Sequence, residues 1–356
     1  MSVKDVTSVF GRYFIVGFYL PAFFWLAYLK LMAGSGLVPN EVQANNASAF
    51  GVIGIAALLL GLLLQGVRVP LVRLFSGYFV MSLWRTSRRK PLRASAAAMR
   101  WLLRRKALRE YRHLVKLAGA KGPRQKSESD DTYRTRRLAE FWLEQRFPDS
   151  EAKVLPTKFG NRIRAWEDYA RTRWSLETVA IRPHIESLLQ QQETDLRTDA
   201  ETDLAFALNA SLLASVIALV LGIDRAIEQP PSLWFIASCL TPLLAALALY
   251  EIAIVAAVSW GNTVRAAIDL HRLDLYDKLG VQHPTTIADD RAVGVAINQM
   301  LLYGSVLPDS IRVTTAAPPT PEPNSSTMER GLSTGAGLVA LGLLLGRVLA
   351  DRRRNH

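Results

Sequence analysis

The chain has 356 residues, half of them hydrophobic, with 43 Lys and Arg against 31 Asp and Glu and a formal net charge of +12. Its single cysteine, Cys239, excludes a disulfide framework and a cysteine-based zinc site. Residues 67–202 carry 29 Lys and Arg against 16 Asp and Glu, a surplus of 13, so the remaining residues are close to neutral together.

Four apolar runs with few charges predict helices that cross a membrane. They cover about residues 10–32, 50–66, 204–223 and 233–260. A hydrocarbon core about 30 Å thick needs about 20 residues of helix, and each run is long enough. A soluble domain of this size could not bury so much apolar helix. The sequence therefore predicts an all-α integral membrane bundle built from two helical hairpins.

The charges of the loops predict the topology of this bundle. Residues 33–49 contain no Lys or Arg, and residues 223–232 contain one, Arg225. Because cytoplasmic loops are enriched in Lys and Arg, both loops should lie outside, with the N-terminus and residues 67–202 in the cytoplasm. The predicted organisation is a first hairpin (1–66), a basic helical cytoplasmic region (67–202), a second hairpin (203–260) and a juxtamembrane helical segment (261–312).

The C-terminal residues combine a polar segment with an apolar one. Residues 313–330 are rich in Pro, Thr and Ser and predict a disordered linker. Residues 331–356 are apolar and glycine-rich before an arginine-rich tail, and we expect them to form a fifth, membrane-inserted helix. A spanning helix would leave its arginines outside, whereas an interfacial helix normally has a charged face. Whether this helix spans or lies flat stays open.

Within the basic region, residues 95–118 predict a helix because they contain no Gly or Pro and many strong helix formers. Helical spacing puts Trp101, Leu108, Tyr111 and Val115 on one side. The candidate contact residues on this helix are Trp101, Arg104, Arg105, Lys106, Arg109 and Arg112. The helix either is a solvated basic face or lies on an anionic leaflet, where each cation adds about 1 kcal/mol. Neutralisation of nucleic-acid phosphates is a third interpretation that the nearby spans disfavour.

Two polar strings flank the second hairpin. The first, at 156–169, reads PTKFGNRIRAWEDY, in which Asn161 is a predicted helix N-cap and Arg164 and Asp168 are placed to form an i,i+4 ion pair. The second, at 269–275, reads DLHRLDL, in which Asp269 and Arg272 can pair on one helix face. No nucleophile or phosphate-binding loop accompanies its histidine, so a charged juxtamembrane helix is favoured over a catalytic site.

These strings carry a resemblance to a group of bacterial multi-pass membrane proteins, often actinobacterial, to which no activity is assigned. The same group shows a span similar to GRYFIVGFYLPAFF at 11–24 and a stretch similar to residues 73–79. Gly160 and Asn161 belong to the shared pattern, whereas Ser76 and Phe79 stand where the group has an acid and a Trp. The resemblance implies a shared architecture and no particular reaction.

Polar residues inside the apolar runs are the remaining candidates. Glu251, Asn209 and Gln65 should face another helix or water, because exposure to lipid is costly. They favour an interhelical cluster, or a pairing of Glu251 with a residue such as Arg68. The alternative is a transport path for a cation or proton through Glu251.

Together the patterns predict a membrane interaction or scaffold protein of the bacterial plasma membrane, not an enzyme, without catalytic, metal or cofactor residues. The expected partners are the anionic inner leaflet, another protein or a second copy of the chain, and nucleic acid is not expected. The alternatives are a transporter or channel subunit that uses Glu251 and a membrane-tethered nucleic-acid binder.

Overall fold

The structure is a computed structural model that describes residues 11–33, 46–78, 90–119, 128–228 and 233–312. The predicted linker and C-terminal helix lie outside these residues. The described part is mostly helical and contains no strand, which confirms the all-α fold class. Its helices are α1 (Gly11–Met32), α2 (Asn46–Gly66), α3 (Arg68–Phe75), α4 (Lys90–Ala118), α5 (Asp130–Arg146), α6 (Lys158–Trp174), α7 (Thr178–Glu186), α8 (Gln191–Glu228), α9 (Leu233–Lys278) and α10 (Ile287–Tyr303).

Three described helices are long and apolar enough to cross a membrane, namely α1, α8 and α9. The apolar part of α2 adds a fourth candidate if it is taken together with α3, to which it is bent by 69°. These helices contain the four apolar runs that the sequence singles out. The bend lies at Val67, after which α3 brings two arginines, Arg68 and Arg73, into an eight-residue helix.

Helices α8 and α9 continue well beyond their apolar runs. The second hairpin is predicted to begin at residue 203 and to end at residue 260, yet α8 begins at Gln191 and α9 ends at Lys278 without a break. At about 1.5 Å per residue, the 46 residues of α9 extend about twice as far as a hydrocarbon core is thick. The polar parts of α8 and α9 extend beyond the apolar runs and pack against the neighbouring helices.

Helix α1 packs on α8 through a local irregularity of its backbone. Residues Ile15–Tyr19 form one π-helical turn, and the carbonyl of Gly17 in this turn accepts a hydrogen bond of 2.7 Å from Asn209. A Cβ at Gly17 would lie 3.1 Å from the Cβ of Ala205, so the two helices approach closely here. Phe14 and Phe18 complete the contact and are buried.

Helix α6 lies alongside α9, with both chains running in the same direction. Lys158 pairs with Glu251 at the start of α6, Trp166 meets Trp260 edge to face at 4.8 Å, and Tyr169 reaches Asp269 near the end of α6. Helices α7 and α10 complete the core around buried Ile181 and Ile297. Helices α4 and α5 form a hairpin, and a small hydrophobic cluster of Tyr111, Phe147 and Val154 is buried between α4 and the chain after α5.

Candidate functional site

The segment before α6 is held by Asn161, which is a buried residue inside the helix and not its N-cap. Its side-chain oxygen accepts from the amide of Leu155 at 2.7 Å, and its amide donates to the carbonyls of Leu155 and Thr157 at 3.0 and 2.9 Å. Thr157 is the N-cap and accepts from the amide of Gly160. The predicted cap was wrong because Thr157, three residues before Gly160, fills that role.

Gly160, in the string at 156–169, lies against the backbone of Ser76 after α3. A Cβ at this position would lie 2.4 Å from the carbonyl oxygen of Ser76, closer than atoms can pack. The neighbouring Gly77 has a φ of +83°, in the region that favours glycine. The backbone at Ser76 and Gly77 therefore lies directly against the start of α6, in a contact that only small residues permit.

The charged residues of α6 pair differently from the predicted pattern. Arg164 donates to Glu167 at 2.9 Å, whereas buried Asp168 accepts from Arg171 and lies 3.4 Å from Lys153. The predicted Arg164–Asp168 pair is therefore wrong. Both ion pairs therefore join residues three positions apart, from Arg164 to the later Glu167 and from Arg171 to the earlier Asp168.

Asp269 is the centre of a hydrogen-bond network that joins α6 to α9. Its carboxylate accepts from the hydroxyl of Tyr169 at 2.6 Å and from the indole N–H of Trp174 at 2.8 Å. Burial, and then the hydrogen bond and charge of Asp269, raise the pKa of Tyr169 to about 12, so the hydroxyl stays a donor. The hydrogen bond from Tyr169 to Asp269 therefore joins the string at 156–169 to the string at 269–275.

Arg272 belongs to the same network but does not pair with the Asp269 carboxylate, contrary to the predicted i,i+3 pair. It stacks on Trp174 at 3.9 Å and pairs at 3.1 Å with Asp290 of α10, which also accepts from the hydroxyl of Tyr276. His271 contacts two carboxylates, Glu193 and Asp274, at 3.0 and 2.9 Å. This arrangement fixes helices to one another and offers no nucleophile.

The three polar residues of the apolar runs do not form a cluster. Asn209 bonds to Gly17 as described, Gln65 is exposed, and Glu251 is an exposed partner of Lys158 at 2.8 Å. Glu251 therefore pairs with the start of α6 and not with Arg68, which instead binds Glu201 at 2.9 Å. Neither of the two best-defined cavities in the described chain is lined by Glu251.

The candidate basic residues of α4 divide into two groups. Arg104 and Arg112 face the turn after α5, where Arg104 donates to the carbonyl of Val154 at 3.1 Å and Arg112 pairs with Glu151 at 2.5 Å. Arg105 stacks on the exposed Trp101 ring at 4.9 Å. Lys106 and Arg109 are exposed and have no ion pair or hydrogen bond with another described residue.

The apolar side of α4 is used inside the protein. Tyr111 is buried against Phe147 at 5.5 Å, and Leu108 packs beside them, so two of the four apolar side chains predicted for this face are covered at the end of α5. Trp101 and Val115 remain exposed. Outward, α4 presents basic side chains together with five exposed apolar ones: Trp101, Leu102, Leu103, Val115 and Leu117.

A wide cavity among the described helices was not predicted from the sequence. It measures about 1140 Å³ and lies between α3, α6, α7, α8 and α9, next to Tyr13 of α1. Its wall is mostly apolar but contains four arginines and three glutamates: Arg68, Arg73, Arg164, Arg182, Glu167, Glu186 and Glu201. No sequence pattern reveals it, because its wall comes from residues more than 240 positions apart.

The burial of Glu167 in the wall of this cavity predicts that the stability of the protein depends on pH. Burial raises the pKa of its carboxyl above the ordinary value of about 4.3, although Arg164 opposes the shift. The unfolded chain therefore loses this proton at a lower pH than the folded one, so the contribution of Glu167 to stability falls as the pH rises from about 4.3 through the folded pKa.

We expect the Glu167→Gln variant to lose less stability than the original protein as the pH rises from about 4 to about 7. Thermal unfolding at a series of pH values measures this difference. Glu110→Gln is the control, because no comparable burial surrounds that side chain. Equal pH slopes for Glu167→Gln and the original protein would contradict the assignment.

Comparisons with protein-family models, with curated proteins and with solved structures found no match to the chain. Within the described residues, no group of three His, Cys, Asp or Glu side chains is placed to hold a metal ion.

Proposed function

We propose that the chain is an integral protein of a bacterial plasma membrane whose cytoplasmic helical region makes contact with the anionic inner leaflet. Three helices are long and apolar enough to span, and the ion pairs Arg12–Asp199 and Arg68–Glu201 join the first turns of α1 and α3 to the polar part of α8, just before its apolar run. Membrane insertion, with the N-terminus and residues 67–202 inside, follows from the distribution of Lys and Arg.

One observation carries the leaflet contact. The outward side of α4 has Lys106 and Arg109 without partners among the described residues, next to Arg105 on the exposed Trp101 ring. Basic side chains with an exposed aromatic residue suit the headgroup region, because cations attract anionic lipid and the indole tolerates the interface. The charge-dependent part of the contact comes from these cations, and Tyr111 and Leu108 do not take part because they pack inside the protein.

The role that follows is that of a membrane interaction or scaffold protein. The geometry gives no support to the transporter alternative, because Glu251 is an exposed ion-pair partner of Lys158. It lines neither the cavity of about 1140 Å³ nor the smaller one beside Lys153. A protein partner with an acidic surface would use the same residues of α4 and is an outcome of the experiment below.

A fluorescence experiment on the full chain tests the leaflet contact. Trp101→Cys in a Cys239→Ser background gives one labelling site for an environment-sensitive fluorophore, because the chain has a single cysteine. In nanodiscs that contain phosphatidylglycerol we expect a blue-shifted, brighter signal than in pure phosphatidylcholine. Added salt should reverse the shift, because the Debye length falls to about 10 Å at 0.1 M.

Charge variants provide the control for this measurement. Lys106→Gln with Arg109→Gln should weaken the contact by about 2 kcal/mol, at about 1 kcal/mol per cation. Arg134→Gln with Lys278→Gln removes the same charge from exposed residues elsewhere and should leave the signal unchanged. A signal that ignores lipid charge, or that both pairs of substitutions lower equally, contradicts the proposal.

A further inference from the structure

The cavity between α3, α6, α7 and α8 combines an apolar wall with a polar end. Leu204, Ala205 and Leu208 of α8 line it, and so does Glu201, one turn before the apolar run begins. The boundary between the polar and the apolar part of α8 therefore runs along the cavity wall. If α8 spans the membrane as proposed above, this boundary lies where lipid headgroups meet acyl chains.

The charges of the wall leave one cation without a counter-ion. Arg68 pairs with Glu201 at 2.9 Å, Arg164 with Glu167 at 2.9 Å and Arg182 with Glu186 at 2.6 Å. Every carboxylate that lines the cavity is thus used by an arginine of the same wall. Arg73 remains, with no ion pair or hydrogen bond to another described residue.

Tyr78 supplies a neutral donor in the wall of the same cavity. It lines the same cavity as Arg73, and its hydroxyl has no hydrogen-bond partner in the described part of the chain. Burial raises the pKa of Tyr78, against the opposing charges of Arg164 and Arg73, so the hydroxyl stays protonated at neutral pH. A guanidinium and a hydroxyl donor together suit a singly charged phosphate oxygen.

We propose that this cavity binds one anionic phospholipid, with its phosphodiester at Arg73 and Tyr78 and an acyl chain along Leu204 and Leu208. A volume of about 1140 Å³ lies just above the range of about 300–1,000 Å³ for ligand sites, which suits an amphiphile larger than a simple metabolite. The single unpaired cation matches the single negative charge of phosphatidylglycerol. The proposal rests on the membrane insertion inferred above, but not on the leaflet contact of α4.

Lipid titration of the full chain in detergent, followed by native mass spectrometry, tests this site. We expect dioleoyl-phosphatidylglycerol to bind at least about tenfold more tightly than dioleoyl-phosphatidylcholine, because only the former leaves a net negative charge for Arg73. Glycerol 3-phosphate, which has no acyl chains, should not bind measurably. Equal affinity for the two lipids overturns the proposal, and so does binding of glycerol 3-phosphate as tight as that of the lipid.

Substitutions locate the site within the protein. Arg73→Gln should lower the affinity for phosphatidylglycerol about tenfold and remove the preference over phosphatidylcholine, whereas Arg73→Lys should keep that preference. Arg134→Gln, an exposed cation on α5, should bind as the original protein does. An unchanged preference in Arg73→Gln would contradict the site. Extraction of the chain from membranes by alkaline carbonate would instead show that the insertion itself is wrong.

Discussion

Replacing Asp269 with alanine is expected to destabilise the protein by about 3 kcal/mol or more. The carboxylate accepts two hydrogen bonds, from Tyr169 at 2.6 Å and Trp174 at 2.8 Å, and bonds to charged groups are worth about 1.5–3 kcal/mol each. Truncation leaves both donors partly buried without an acceptor. Denaturation in detergent, followed by helical circular dichroism, measures the loss.

Asp277→Ala is the matched control for this substitution. Asp277 lies on the same helix and pairs with His283, but both side chains are more than half exposed. An exposed pair of this kind is worth about 0–1 kcal/mol. If the two variants lose equal stability, the network around Asp269 does not hold α6 to α9.

The second large effect is expected from Gly160→Ala, at about 2–3 kcal/mol of lost stability. The new Cβ would lie 2.4 Å from the carbonyl oxygen of Ser76, and a backbone atom cannot rotate away as a side chain can. Overpacking of this kind typically costs about 1–3 kcal/mol. The same denaturation experiment measures it.

Gly222→Ala shows what the alanine does where space is free. A Cβ at Gly222 meets no atom within 4 Å, and alanine is the better helix former by about 1 kcal/mol. This control should therefore be neutral or slightly stabilising. A tolerated alanine at position 160 would show that the contact between Gly160 and Ser76 is loose.

Composition and apolar runs were sufficient to predict an all-α chain with helices long enough to span. A run such as residues 204–223 has no charge and no competing period, so length and hydropathy decide its structure. The ends of these helices were harder to predict. Residues 191–203 are polar but contain no Gly or Pro, so α8 begins 13 residues before the predicted run, supported by packing that the sequence does not display.

Partners of individual side chains were the least predictable feature. Asn209 was expected in an interhelical cluster, and its actual acceptor, the carbonyl of Gly17, faces it within the π-helical turn of α1. Nothing in the sequence of α1 predicts that turn. Similarly, the contact of Gly160 with Ser76 depends on how α3 and α6 come together.

The basic helix shows the same difference between pattern and use. Its arginines were predicted to form one outward surface. Arg104 and Arg112 instead bind Val154 and Glu151 and so hold α4 to the turn after α5. A count of charges cannot separate a docking arginine from a free one. The structure reduces the candidate leaflet contact to Trp101, Arg105, Lys106 and Arg109.

Cysteine labelling in whole cells tests whether the basic region at 67–202 lies in the cytoplasm. In the Cys239→Ser background, Arg109→Cys should react with a membrane-impermeant maleimide only after the membrane is permeabilised. Asn40→Cys, in the loop at 33–49 that is predicted to lie outside, should react in intact cells. Labelling of Arg109→Cys from outside intact cells would contradict the cytoplasmic position of the basic region and, with it, the contact with the inner leaflet.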